Sequence, residues 1–272
     1  MDGDPSLDYG YARLCARLAS RPDERLWRQL RSARTLQAAI DAVRASAAAP
    51  YVAGVGLRGT IDDIELALRQ HLRARIREAA AWAPPSWRTA LRWTEVLIDL
   101  PALQHLRADS PLPRWLRDDP HLGAYALPDC AARRARLVAG PYAPVVAAAL
   151  AAATPAGRRR SPDPIHLMLM AWQDEWQRRW PNCTAEQRQG LSRLAATVRS
   201  HLATFGALPL SATDAAREHL AQRVRRQLHN AAAQPAALFA YLLLVALDLE
   251  RLRGEFALRA AALAFVDAEA AA

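Results

Sequence analysis

The chain has 272 residues, of which 52% are hydrophobic, and its formal charge is +9. This length and this hydrophobic content allow a substantial core, and three widely spaced cysteines exclude both a disulfide framework and a zinc site. All 36 basic residues counted as Lys or Arg are arginine, a bias typical of GC-rich coding sequence, so the positive charge is only a weak indication of an anionic partner.

The N-terminus, Met1-Asp2-Gly3-Asp4-Pro5, is acidic and has no apolar region. It therefore predicts no secretory signal, and we expect a cytoplasmic protein. The first half of the chain then shows apolar residues at spacings of three and four, interrupted by proline and glycine, which predicts amphipathic helices. The predicted helices cover residues 9–18, 22–30, 35–45 and 61–83, followed by one long segment, 87–107, kinked at Pro101.

The second half continues in the same style. Three further helices are predicted at Pro164 to Trp180, Glu186 to Phe205 and Ala212 to Asn230. Because no strand with a period of two is present, the predicted fold class is all-α.

The most apolar helix is predicted from Pro235 to Gly254. Proline suits a first helical turn, and glycine suits the position just past a helix end. Residues 236–247 are apolar on every side, which indicates a helix packed all round, and a run of about 12 residues is too short to span a bilayer. We therefore expect a central core helix.

Two short echoes indicate an internal repeat, and the first of them has a spacing of about 90 residues. The turn Gly140-Pro141-Tyr142 resembles Ala49-Pro50-Tyr51. In the second echo, each of two long apolar helices is predicted to end in an acid, leucines and an arginine. This helix-end motif comprises Asp99 and Arg107 in one copy and Asp248 and Arg253 in the other.

Catalytic, cofactor and metal motifs receive no support, so we predict no enzyme and no cofactor. Residues 54–59 read G-x-G-x-x-G, but the strand that a dinucleotide site requires before them is missing. The seven histidines form no metal-binding spacing, and no serine has a G-x-S-x-G setting. The carboxylate clusters at 62–65 and 118–119 fit helix capping better than acid catalysis.

A tryptophan stripe spaced by four, Trp172, Trp176 and Trp180, follows an arginine run at Arg158, Arg159 and Arg160. Aromatic and basic side chains together suit single-stranded nucleic acid, but stripes at helical spacing more often belong to a core or a protein interface. We predict that these six residues lie near a partner-binding surface.

The order of these segments resembles the C-type subunits of the V/A-type rotary ATPases, whose counterparts in eukaryotic V-ATPases are the d-type subunits. The N-terminal helix 9–18, the short helices with a Pro-Tyr turn at 35–51 and 130–146, and the helix 93–107 with Asp99 and Arg107 are similar to segments of that family. Near the C-terminus, residues 241–253 resemble its closing motif, with Arg251 where the family usually has asparagine.

This resemblance implies a divergent bacterial member with a funnel of about three similar helical lobes. The lobes would cover residues 20–115, residues 116–208, and residues 8–19 together with 209–272. The family's job is not catalytic, because its members join the central axle, made of D- and F-type subunits, to the membrane rotor ring. We therefore expect a peripheral protein on the inner face of the membrane that serves ATP-driven or ATP-forming proton or sodium transport.

A competing interpretation is a basic all-α scaffold that binds nucleic acid or an acidic protein. Salt dependence separates the phosphate-binding version from the rotor role. An all-α isoprenoid synthase is a remote alternative, because Asp118-Asp119 does not complete the D-D-x-x-D cluster it would need.

Overall fold

The structure is a computed structural model that describes residues 6–56, 59–152, 163–205 and 212–270. Its described residues form helices and turns without a β-strand, which confirms the all-α prediction. By their contacts the residues divide into two compact units. We call Met1–Leu91 with Pro181–Ala272 the terminal unit, and Arg92–Trp180 the internal unit. The division into three lobes stays a prediction.

The terminal unit is built around its last helix. Its helices are α1 (Leu7–Leu18), α2 (Glu24–Ser32), α3 (Leu36–Arg44), α4 (Ile61–Trp82), α5 (Pro85–Trp93, which runs past the boundary at Leu91), α11 (Ala185–Phe205), α12 (Thr213–Asn230) and α13 (Pro235–Ala270), with a 3-10 turn at Ala49–Val52. Helix α13 packs against α1, α3, α4, α11 and α12. Every side chain from Ala236 to Leu242 is buried, so the prediction of a core helix is confirmed.

The internal unit is smaller and continuous in sequence. It contains α6 (Glu95–Arg107), α7 (Arg114–Asp118), α8 (Cys130–Val138), α9 (Ala143–Ala152) and α10 (Pro164–Arg178), with a 3-10 turn at Gly123–Tyr125. Helix α10 packs against α6 and α9, and α8 packs against the same two helices.

Side-chain caps begin several of these helices where the sequence predicts a start. Asp23, Thr35 and Asp129 each accept a hydrogen bond from a backbone N–H in the first turn of α2, α3 and α8. Thr60 and Asp63 cap each other's backbone at the start of α4, which is a complete capping box. These bonds satisfy N–H groups that have no partner within the helix.

The prediction that Gly254 ends the last helix is wrong, because α13 continues to Ala270. Beyond the glycine, Phe256 is fully buried. Arg259 is 6% exposed and donates to the backbone carbonyls of Ala33, at 2.9 Å, and Leu30. Tertiary packing after Gly254 thus extends the helix past a residue whose intrinsic preference is to stop it.

The prediction of one continuous helical segment over residues 87–107 is also wrong, while the kink at Pro101 stays a prediction. The segment is two helices, α5 and α6, that separate at Thr94, and Pro101 lies inside α6. The indole Nε1 of Trp172 donates to the Trp93 carbonyl at 3.0 Å, and the Leu97 N–H bonds the Thr94 carbonyl instead. A tertiary hydrogen bond therefore occupies the carbonyl that would continue the helix.

Candidate partner-binding surfaces and buried polar clusters

The tryptophan stripe is largely buried, and Trp172 and Trp176 lie on α10, whereas Trp180 lies two residues past the end of that helix at Arg178. Trp172 is 8% exposed and Trp176 4%, while Trp180 is half-buried. The rings of Trp172 and Trp176 stack with centroids 5.6 Å apart, and Trp176 meets Trp180 edge to face at 4.9 Å. Two of the three indoles therefore contribute to packing, and Trp180 has the larger accessible fraction for a partner.

A reciprocal pair of hydrogen bonds fixes one end of this stripe. Trp93 Nε1 donates to the Trp172 carbonyl at 3.1 Å, and Trp172 Nε1 returns the bond to the Trp93 carbonyl. The Arg179 guanidinium lies 4.1 Å from the centroid of the Trp93 ring, within the range of a cation–π interaction. Arg158, Arg159 and Arg160 lie outside the described residues, so the predicted partner surface stays a prediction.

In the internal unit, the acid of the first helix-end motif meets the tyrosine of the Pro-Tyr turn. The Tyr142 hydroxyl donates to Asp99 Oδ2 at 2.7 Å, and both residues are buried. The Tyr142 ring also packs edge to face on Tyr125, with centroids 5.4 Å apart. The two echoed segments are therefore in direct contact.

The terminal unit builds the same pairing at its own echoes. The Tyr51 hydroxyl lies 3.5 Å from Asp248 Oδ2, at the limit of a hydrogen bond. Arg21 approaches the same carboxylate with two nitrogens, Nε at 2.6 Å and Nη2 at 2.8 Å. Burial raises the pKa of Asp248, because desolvation outweighs the opposing effect of Arg21.

A histidine adds to this cluster on the other face of the tyrosine. The His71 ring stacks on Tyr51 with centroids 4.1 Å apart. Burial, followed by the nearby Arg75 charge, lowers the pKa of His71 to about 4, although its hydrogen bond to the Pro50 carbonyl opposes the shift. Burial and the Asp248 charge hold the pKa of Tyr51 well above its usual value. His71 is therefore neutral near pH 7.

The arginines of the helix-end motif have different surroundings. Arg107 is the last residue of α6, and burial together with Arg134 lowers its pKa. Arg253 forms an ion pair with Glu65, with Nε 2.6 Å from Oε2. Burial works to lower the pKa of Arg253, but Glu250 and Glu65 raise it overall. Asp248 and Arg253 both lie inside α13, so the prediction that they close a helix is wrong for this copy.

The G-x-G-x-x-G segment forms a loop tied to α3, and Leu57 and Arg58 within it lie outside the described residues. Gly54 has a φ of 87°, a left-handed conformation that favours glycine. Arg44 Nη2 donates to the carbonyls of Val55 and Gly56, at 2.5 and 2.9 Å. The described part of the loop thus binds a guanidinium of its own chain through its carbonyls.

In each of the two carboxylate clusters, one aspartate accepts hydrogen bonds from backbone N–H groups. Asp63 belongs to the capping box of α4, and Asp119 accepts from the N–H groups of His121 and Leu122. Asp118 lies at the end of α7 rather than at a helix start and pairs with Arg114. Within the described ranges, no group of three or more His, Cys, Asp or Glu side chains is arranged to hold a metal ion.

Sequence reasoning missed the arginines that the fold buries. Arg69, Arg73 and Arg133 are at most 3% exposed. The Arg133 guanidinium donates to the carbonyls of Leu106 and Ala108, at 3.0 and 2.7 Å, where α6 ends. A cation at the carbonyl end of a helix is favourable because the helix dipole is negative there. In a chain with 36 arginines no sequence signal separates these from solvated ones.

In the part of the chain that the structure describes, no helix combines the length and the apolar content that crossing a bilayer requires.

Comparisons of the chain with protein-family models, with curated proteins and with solved structures find no match.

Proposed function

We propose that the chain is a non-catalytic rotor component of a V/A-type ATPase, which couples the central axle to the membrane rotor ring. The observation that carries the proposal is the Tyr–Asp pair found once in each unit. Tyr142 contacts Asp99 and Tyr51 contacts Asp248, so the segments that resemble the family are also the ones that pair in space. This agreement between resemblance and contact supports a repeated helical lobe.

Torque transmission requires stiff elements, and side chains tie distant segments of each unit together. Arg259 of α13 binds the carbonyls at the end of α2, and Arg133 of α8 binds those at the end of α6. Hydrogen bonds from a charged donor each contribute about 1.5–3 kcal/mol. Such ties favour a rigid coupling element over a mobile adaptor.

In this role the partners are the D- and F-type axle subunits and the rotor ring. The protein lies on the cytoplasmic side of the membrane as a peripheral component, and the complex moves protons or sodium ions while making or consuming ATP. ATP hydrolysis and ion transport take place elsewhere in the complex. The chain itself then needs no catalytic residue, cofactor or metal.

The test is to mix the purified protein with the D- and F-type subunits of the same cell and measure the mass of the complex by size-exclusion chromatography with light scattering. We expect a stoichiometric complex that survives moderate salt. If no complex forms, and the protein binds nucleic acid in a salt-sensitive way instead, the rotor role is excluded.

Variants test the predicted partner surface without disturbing the buried indoles. Replacing Arg158, Arg159 and Arg160 by alanine should weaken assembly with the axle or with ring-containing membranes. The matched control replaces three exposed arginines of α2 and its C-terminal flank, Arg25, Arg28 and Arg34, and changes the charge by the same amount. Equal assembly of the two triple variants would remove the arginine run from the interface.

A further inference from the structure

Helices α11 and α12 form an antiparallel pair whose line of contact carries polar side chains. Thr197 on α11 accepts a hydrogen bond from Gln227 Nε2 of α12 at 2.8 Å, and Arg223 Nη2 lies 3.4 Å from the same hydroxyl. Further along, Gln234 Nε2 donates to Glu186 at 2.7 Å. Since Thr197 is 3% exposed and Gln227 is half-buried, these two residues form the polar floor of a groove between the helices.

Arginines from both helices flank this floor. Arg193 on α11 and Arg226 on α12 are exposed, and Arg223 is half-buried. Their sequence spacing places Arg193 one turn before Thr197, and Arg223 and Arg226 on the shoulder of α12 that faces α11. We call Arg193, Thr197, Arg223, Arg226 and Gln227 the basic groove.

Two of the three carboxylates on these helices form ion pairs with other arginines, and the third, Glu186, accepts the hydrogen bond from Gln234. Asp214 pairs with Arg217 at 3.1 Å, and Glu218 pairs with Arg225 at 3.4 Å. No ion pair to Arg193, Arg223 or Arg226 is formed within the described ranges. The groove therefore presents three cations whose charge the fold itself does not neutralise.

The pKa of a neighbouring histidine, His201, responds to the same positive charge. Burial lowers the pKa of His201 first, and the charges of Arg217, Arg223 and His219 lower it further. The positive potential thus extends along α12 beyond the three groove arginines.

We propose that the basic groove binds an acidic segment of a partner protein, whose carboxylates pair with Arg193, Arg223 and Arg226. Guanidinium groups bind carboxylates through two parallel hydrogen bonds, which suits a row of acidic side chains laid along the groove. The Thr197 hydroxyl is fully used within the fold, because it donates to the Arg193 carbonyl and accepts from Gln227 and Arg223, so the guanidinium groups alone would bind the acidic segment. The proposal does not depend on the rotor role.

Other anionic occupants fit less well. Single-stranded nucleic acid is bound chiefly by stacking on aromatic side chains, and neither α12 nor the described side chains of α11 include Phe, Tyr or Trp, so the imidazoles of His201, His219 and His229 are the rings available there. A membrane-surface helix carries aromatic or leucine anchors beside its basic residues, whereas Leu202 is the one large exposed apolar side chain on these two helices where side chains are described. A second copy of this chain, with a formal charge of +9, would be repelled.

The experiment measures binding of a labelled peptide of about 16 residues, with glutamate at every second position, by fluorescence anisotropy at physiological ionic strength. The variant is Arg193→Gln with Arg226→Gln, which leaves the Arg223 contact to Thr197 in place. The matched control is Arg28→Gln with Arg34→Gln, which removes the same charge from an exposed part of the terminal unit. Circular dichroism verifies that both variants keep their helix content.

We expect the groove variant to bind the acidic peptide at least about fivefold more weakly than the wild type, and the control variant to bind it within about twofold. A glutamine analogue of the peptide should not bind. Equal losses in the two variants, or no binding by the wild type, would overturn the proposal.

Two further probes separate the sources of negative charge. If oligo-dT of about 16 nucleotides, or vesicles rich in phosphatidylserine, bind more tightly than the peptide and lose affinity in the groove variant, the groove serves phosphate groups rather than an acidic protein. Failure of the axle-binding test alone leaves this result unchanged, so the two proposals can fail separately.

Discussion

Each unit contains a buried Tyr–Asp pair, but the hydrogen bond within the pair is shorter in the internal unit than in the terminal unit. In the internal unit the Tyr142 hydroxyl is 2.7 Å from Asp99, whereas in the terminal unit the Tyr51 hydroxyl is 3.5 Å from Asp248. The tyrosine rings also differ in their neighbours, since Tyr142 meets Tyr125 edge to face and Tyr51 stacks on His71.

Arg21 accounts for the looser pair in the terminal unit. It approaches both oxygens of Asp248, and the side chains of Arg21 and Asp248 are only 10% and 9% exposed. A charged, two-pronged donor attracts a carboxylate more strongly than a neutral hydroxyl does. A repeated contact can therefore keep its residues while a new neighbour takes over most of the bonding.

The largest expected effect comes from breaking the Arg21–Asp248 ion pair on one side. Asp248→Leu leaves the Arg21 cation buried without its carboxylate and should lower the free energy of unfolding by about 3–5 kcal/mol. The double variant Arg21→Met with Asp248→Leu should recover much of that loss, because replacing a buried ion pair by apolar side chains is often nearly neutral. Urea denaturation of the three proteins measures both values; a loss below about 1 kcal/mol for the single variant would contradict the assignment.

Acid should weaken the terminal unit through His71, the ring that stacks on Tyr51. The folded pKa of His71 is about 4, below its ordinary 6.5, so the unfolded chain binds the proton first as the pH falls. Stability is therefore lost between pH 6.5 and about 4, by about 3 kcal/mol in total.

The variant His71→Phe keeps an aromatic ring beside Tyr51 and removes the titration. Its free energy of unfolding should fall less than that of the wild type between about pH 7 and about pH 4, and the difference isolates His71 from the carboxylates that also titrate. Parallel pH profiles of the two proteins would show that His71 is not held neutral by the fold.

Removing the tyrosine hydroxyls compares the two pairs directly. Tyr142→Phe should cost about 2 kcal/mol, because it removes a short hydrogen bond to a buried carboxyl group, and Tyr51→Phe should cost about 0.5 kcal/mol or less. Hydrogen exchange read by mass spectrometry assigns each loss to its own unit. Equal costs would mean that the longer distance in the terminal unit does not weaken its bond.

A further pair of variants tests whether the helices that precede the two Pro-Tyr turns are equivalent. Thr35 caps α3 and Asp129 caps α8, each by accepting from the backbone N–H three residues on. Thr35→Ala and Asp129→Ala should each cost about 1 kcal/mol. The carboxylate cap should also respond to salt, since it interacts with the helix dipole, and the threonine cap should not.

The sequence predicts much of this fold because its helix starts are locally encoded. Thr60 with Asp63 and Pro235 mark helix starts by local chemistry, and both starts are confirmed. Two predictions were wrong, the helix end at Gly254 and the continuous segment 87–107. In both cases a contact with a residue distant in sequence, made by Arg259 or Trp172, decides where the helix ends. Local propensity is worth about 1 kcal/mol per residue, so one or two tertiary hydrogen bonds override it.

The buried polar pairs were only half predictable. The Pro-Tyr and acid echoes identified Tyr51, Tyr142, Asp99 and Asp248 as members of a repeat, but not as contacts. Arg21 carries no signal in the sequence, because it lies 227 residues from Asp248 and is one of 36 arginines. Only the three-dimensional path of the chain brings it to the carboxylate.

The hydrogen bonds made by Arg259 also bear on the order in which the two units fold during synthesis. Its bonds to Leu30 and Ala33 join residues that are 229 and 226 positions apart, and the terminal unit is interrupted by the whole of the internal unit. During translation the internal unit is complete before Pro181 is added, so it can fold while the first 91 residues still lack the helix they pack against. The helices α1, α3 and α4 then lack their shared packing partner until α13 is synthesised.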